Sequence, residues 1–144
     1  MYRKDNIEIS TEIFAEESSL ITVGYPNELK QVLLNILNNA RDAILNRRKS
    51  DNPDFTGQIK IVISELGDNT ISISITDNGG GISEEIIAKI YEPYFSTKKH
   101  EGGTGLGLYM SKTIIETNMG GTLTVRNVDD GVEFLIRLIK IGSV

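Results

Sequence analysis

Residues 26–48 read PNELKQVLLNILNNARDAILNRR. Advanced by about 100° per residue from Gln31, the side chains of Val32, Leu33, Ile36, Leu37, Ala40, Ala43 and Ile44 fall between about 100° and about 240°. Pro26 suits a first helical turn, where its missing N–H has no intrahelical partner to lose. The spacing predicts a one-sided amphipathic helix from Pro26 to about Arg48, and its apolar sector must be covered. Strand-like runs on both sides can supply the cover. Upstream, Asn6–Ile13 alternates apolar and polar residues, with Ile7, Ile9 and Ile13 expected to face inward. Downstream of a polar loop, Lys49–Gly57, come Gln58–Leu66 and Thr70–Thr76, rich in Ile, Val, Ser and Thr. Gly67-Asp68-Asn69 joins them as a hairpin. A short helical pattern, Ser83–Tyr91, follows with Ser83 as its expected N-cap. Leu108–Asn118 reads as a further helix stopped by Gly120-Gly121. Thr122–Val128 and Val132–Ile139 make a second hairpin across Asp129-Asp130-Gly131. Hairpins interleaved with helices predict an α+β fold. It is a two-layer sandwich with a mixed, mostly antiparallel sheet and helices on one face.

The 144 residues contain no linker, repeat or low-complexity tract, so 1–144 reads as a single domain. Fifteen basic against twenty acidic side chains give a net charge of −5, which argues against a nucleic-acid surface. The absence of cysteine excludes disulfides, thiolate nucleophiles and Cys-ligated metals. A lone histidine, His100, excludes a multi-His metal site. No apolar run approaches the roughly eighteen residues of a membrane span, and Met1–Asp5 opens no signal peptide. A cytoplasmic domain without membrane contact is expected.

The polar face of the first helix is unusual. It carries Asn35, Asn38, Asn39 and Asn46, where a solvated face normally uses Glu, Lys, Gln or Arg. Each Asn costs about 0.6 kcal/mol of helix propensity relative to Ala, so the stripe costs about 2 kcal/mol. A compensating contact is expected. Amide oxygens are neutral, hard ligands suited to Mg²⁺, and amides hydrogen-bond phosphates without adding negative charge. Asp77-Asn78-Gly79-Gly80-Gly81 sits where a strand ends. Its glycines allow a flat ligand to approach the backbone, and its carboxylate can accept from an exocyclic amine. Gly102-Gly103-Thr104-Gly105-Leu106-Gly107-Leu108 leads into a helix, where backbone N–H groups and the macrodipole favour an anion. It is neither a Walker A loop nor the dinucleotide fingerprint. Ser96, Thr97 and Lys98 beside it are suited to touching a polyphosphate.

These elements in this order resemble the ATP-binding catalytic domain of bacterial sensor histidine kinases. The wider superfamily includes type II topoisomerases, a heat-shock chaperone ATPase and mismatch-repair ATPases. Gln31–Ala43 resembles the asparagine box, Asp77–Gly81 the first glycine box, Glu92–Lys98 the phenylalanine box and Gly103–Leu108 the second glycine box. The resemblance covers about Ile7 to Ile139. It implies an ATP site between helices under a glycine-rich lid, with ATP and Mg²⁺ as ligands. It assigns Asp77 to the adenine amine, Gly79 and Gly81 to the base, and Asn39 to Mg²⁺ with Asn35 in support. Gly103, Thr104, Gly105, Leu106 and Gly107 are implied at the phosphates, with Lys98 as a lid-proximal contact. Many kinases of the family carry Lys or Arg where this chain has Asp42, and often an aspartate where it has Tyr25. Arg41 and Lys98 are therefore the candidates for the missing positive charge.

The related hydrolases activate water with a glutamate one turn before the magnesium asparagine. Asn35 stands there, and an amide cannot accept that proton. Phosphoryl transfer is expected instead, to a histidine on a separate dimerisation domain, with a response regulator downstream. His100 lies in the glycine-rich stretch and is expected to be an exposed loop residue. The chain accordingly reads as a catalytic fragment of a longer kinase. The alternatives are an anti-sigma-factor-type serine kinase and a nucleotide-dependent binding module without transfer.

Overall fold

The computed structural model describes residues 7–14, 26–50, 55–67, 69–92 and 107–139. In chain order the elements are β1 (Ile7–Phe14), α1 (Pro26–Ser50), β2 (Gly57–Leu66), β3 (Thr70–Asp77), α2 (Glu84–Lys89), α3 (Gly107–Thr113), β4 (Thr122–Val128) and β5 (Gly131–Ile139). The strands form one sheet in the order β1-β2-β3-β5-β4. β1 runs parallel to β2, and every other neighbouring pair is antiparallel. This is the expected α+β architecture with a mixed, mostly antiparallel sheet.

Strand β3 shows why the sheet has one covered face. Ile71, Ile73, Ile75 and Asp77 are buried, while Thr70, Ser72, Ser74 and Thr76 between them are half-buried. The register carries this alternation to β5, where Leu138, Ile136 and Phe134 stand opposite Ile71, Ile73 and Ile75. Val32, Ile36, Ala40 and Ile44 of α1 join the same core, as the helical spacing requires. Ser83 caps α2, its Oγ accepting from the Ile86 N–H at 3.2 Å.

Two expectations are corrected. Of the three isoleucines expected to face inward on β1, only Ile7 is buried; Ile9 and Ile13 are 37% and 53% exposed. They share the face of Ile59 and Ile63 across the ladder, so the periodicity is right. However, β1 is an edge strand, and Ile44 of α1 and Ile7 come together above Gly57 at its buried end. The helix over 108–118 also does not keep one pitch. Beyond α3, Ile114–Asn118 forms a wider π-helical turn, closed by Met119 N–H to Ile114 O at 3.0 Å. The wider turn seats the consecutive Ile114 and Ile115 together in the core. Gly120, at φ +70°, then ends the helix.

Candidate functional site

Asp77 is the last residue of β3, one position beyond the expected end of that strand, and it is 7% exposed. Its Oδ1 accepts from the Gly79 N–H at 2.9 Å. Burial pushes the carboxyl up to about 6 from its ordinary 3.8, against the opposing pull of the Gly79 and Val132 backbone N–H groups. An acceptor is thus held at the strand end, short of full hydration.

The glycines that follow are explained within the protein itself. A Cβ on Gly79 would lie 2.8 Å from the backbone of α1 at Ala43 and Ile44, so the loop presses directly on the helix. Gly80 has φ +89°, a conformation that L side chains rarely adopt. Asn78 turns back to β2, where its Oδ1 accepts from Gln58 N–H at 2.7 Å and its Nδ2 donates to Thr56 O at 3.3 Å. Gly131 of the second hairpin has no room for a side chain, because a Cβ would collide with the Asp77 carbonyl oxygen.

The second glycine cluster enters the described structure at Gly107, the first residue of α3. Asn35 meets it there. Its Nδ2 donates to Ser111 Oγ at 3.2 Å and, at 3.5 Å, to Gly107 O. With the N–H₂ so engaged, the amide presents its oxygen to any cation. Asn39 is half-buried one turn further along α1, between Asn35 and the point at which Gly79 docks. Asn35, Asn39 and Ala43 share one face of α1, and the first and last are about 12 Å apart along its axis. One helix face therefore joins the ends of both glycine clusters, with Asn39 midway. Arg41, a candidate for the missing positive charge, lies 3.9 Å from Asp42, which partly offsets it. Lys98, Gly103, Thr104, Gly105 and Leu106 lie outside the described residues, as do Ser96, Thr97 and His100.

Three further residues build the site without having stood out in the sequence. Ser111, fully buried, is the partner of Asn35. Arg47 donates to Asn78 O at 2.7 Å and pairs with Asp130 at 2.9 Å. Asn127 holds the backbone of Ile82 at both its N–H and its C=O. Their only sequence signals were a serine on the helix after the glycines, a basic residue beyond the asparagine stripe and an Asn just before an Asp-Gly turn.

The family model for histidine kinase-, DNA gyrase B- and HSP90-like ATPases matches residues 24–140. The chain belongs to this family. Among curated members of the family, the two-component sensor PprA of Pseudomonas aeruginosa is 37% identical over 134 residues, 90% of this chain and 14% of PprA. The signal transduction histidine-protein kinase AtoS of Escherichia coli is 46% identical over 92 residues, 64% of this chain and 13% of AtoS. The chain thus spans about a seventh of these relatives. Among solved structures, the nucleotide-free catalytic domain of the histidine kinase ThkA superposes with a TM-score of 0.78 at 31% identity. That match covers 97% of this chain and 84% of the ThkA chain. ThkA has also been solved in complex with the response regulator protein TrrA, matching 96% of this chain and 36% of ThkA with a TM-score of 0.70. The ATPase family and the histidine kinase catalytic fold are therefore this chain's own. No helix among the described residues is long and apolar enough to cross a membrane.

Proposed function

We propose that this domain binds Mg-ATP and supports transfer of its γ-phosphoryl group to a histidine on a separate helical dimerisation domain. A response regulator would take the group next. The observation that carries the reading is the face of α1 that joins Asp77's glycine loop, Asn39 and the Asn35–Gly107 contact in one line. Adenine would donate its amine to Asp77, and the triphosphate would extend along the asparagines towards Gly107, with Gly103, Thr104, Gly105, Leu106 and Lys98 following the family pattern. Gly79 and Gly81 would flank the base through the loop backbone.

The donor set fits magnesium. No group of three or more His, Asp or Glu among the described residues could hold a metal alone. Mg²⁺ is commonly held by few protein oxygens together with substrate phosphates, and the neutral oxygens of Asn39 and Asn35 suit that role. When bound there, the ion would neutralise charge on the phosphates. Asn35 cannot take a proton from water, and its N–H₂ is already engaged by Ser111. The domain's contribution is therefore positioning rather than hydrolysis.

Incubation with γ-labelled ATP tests this. Alone, the chain should acquire almost no label. With the histidine-bearing domain of its own kinase, acid-labile and base-stable label should appear on that domain, and His100→Gln should leave the transfer intact. Acid-labile label on the isolated chain, lost in His100→Gln, would overturn the reading. So would acid-stable label on a partner serine.

A further inference from the structure

The loop that follows the base-reading acceptor has three consecutive residues without side chains, between Asn78, whose amide is bound to Gln58 and Thr56, and Ile82, which packs on the core. Gly79-Gly80-Gly81 can be held only by what surrounds it, and the surroundings hold it by its backbone. Asn127, exposed near the end of β4, accepts from Ile82 N–H at 2.9 Å and donates to Ile82 O at 2.6 Å. From the opposite side, Arg47 of α1 donates to Asn78 O at 2.7 Å and pairs with Asp130 Oδ1 at 2.9 Å, its guanidinium 4.4 Å above the Phe55 ring. Asp130 O in turn accepts from Gly80 N–H at 2.9 Å. Backbone groups of three residues, Asn78, Gly80 and Ile82, are thereby pinned by α1 and the β4–β5 hairpin.

We propose that Asn127 and Arg47 are positioning residues for base selection: through the backbone at Asn78, Gly80 and Ile82 they fix Asp77's loop tightly enough to prefer adenine over guanine. The inference rests on Asp77 being the adenine acceptor. A carboxylate accepts from the 6-amino group of adenine and repels the 6-oxo group of guanine, but only at direct contact. If the loop relaxes by about an ångström, a water can stand between carboxylate and base, donating to the carboxylate while it accepts from adenine's amine or donates to guanine's oxo group. Loosening the clamp should therefore cost selectivity more than it costs binding of guanine nucleotides.

The test is calorimetric titration of the chain with Mg-ATP and with Mg-GTP, for wild type, Asp77→Asn, Asn127→Leu, Asn127→Asp and Arg47→Met. Asn127→Leu keeps the side chain's shape and loses both hydrogen bonds. Asn127→Asp keeps the acceptor for Ile82 N–H. Arg47→Met keeps an apolar stem over Phe55. Asn127→Leu and Arg47→Met should each weaken ATP about tenfold and GTP much less, collapsing the ATP-to-GTP ratio, at an unchanged m-value in urea. Asn127→Asp should fall between wild type and Asn127→Leu. Equal losses for both nucleotides, or a ratio that stays at the wild-type value, would overturn the inference while leaving Asp77 in place. A wild-type protein without adenine preference, or an unchanged ratio in Asp77→Asn, would instead remove the Asp77 reading and this inference with it.

Discussion

Asp77 combines two demands that oppose each other. Its carboxyl is raised to about 6 by burial, so between its ordinary 3.8 and about 6 the native state binds more protons than the unfolded chain. Folding stability should therefore fall as pH rises through that window and level off above it. ATP binding should run the other way, strengthening from about pH 4 to about pH 7 as the carboxylate becomes the ionised acceptor. Thermal unfolding and calorimetry on the same buffers check both signs, and parallel curves would remove the assignment. Asp77→Asn should weaken ATP by about 1–3 kcal/mol, because an amide sets one donor against another. The same change should hold or raise the unfolding midpoint at pH 7, since a desolvated charge is gone. The asparagine stripe stands out in the sequence because its residue type is costly on a helix, and Asp77 because three glycines follow it closely at a strand end. Ser111, Arg47 and Asn127 do not, because an ordinary serine, arginine or asparagine becomes informative only when the fold brings it to a distant peptide.

Among the elements, α1 contributes to the core through one face and to the site through the other. Asn39→Ala should raise helix stability by about half a kcal/mol, yet lower magnesium-dependent ATP affinity. Chemical denaturation and calorimetry with and without Mg²⁺ separate the two effects. A less stable variant with intact affinity would make Asn39 a structural residue. The β4–β5 turn is equally constrained. Gly131→Ala would force its methyl group into the Asp77 carbonyl, so it should destabilise by about 1–3 kcal/mol and weaken ATP binding together. Helical and strand periodicities were readable for these elements because burial alternates with them. The π-helical turn was not. Nothing in IIETN distinguishes a five-residue turn from a four-residue one until the core beneath Ile114 and Ile115 is known.

For the molecule as a whole, the sheet has one covered face, and mutations should report it. Ile136→Ala, at a fully buried position, should cost about 2–5 kcal/mol, whereas Leu135→Ala on the opposite face of β5 should cost far less; urea unfolding measures both. The sequence predicted the sandwich because its hairpins and amphipathic helix share one pattern of burial. It overestimated the cover on β1 because periodicity assigns a face but not how far the helices extend across it. The sheet order has a further consequence for mechanics. Ile7 stands beside Gly57 at the end of the sheet where Asp77 lies, whereas Ile139 stands opposite Thr70 at the other end. Tension applied between those two points would slide β1 lengthwise along β2. The hydrogen bonds of that ladder would then share the load at once rather than rupture in succession, so a pull along this axis meets the sheet in its most resistant direction.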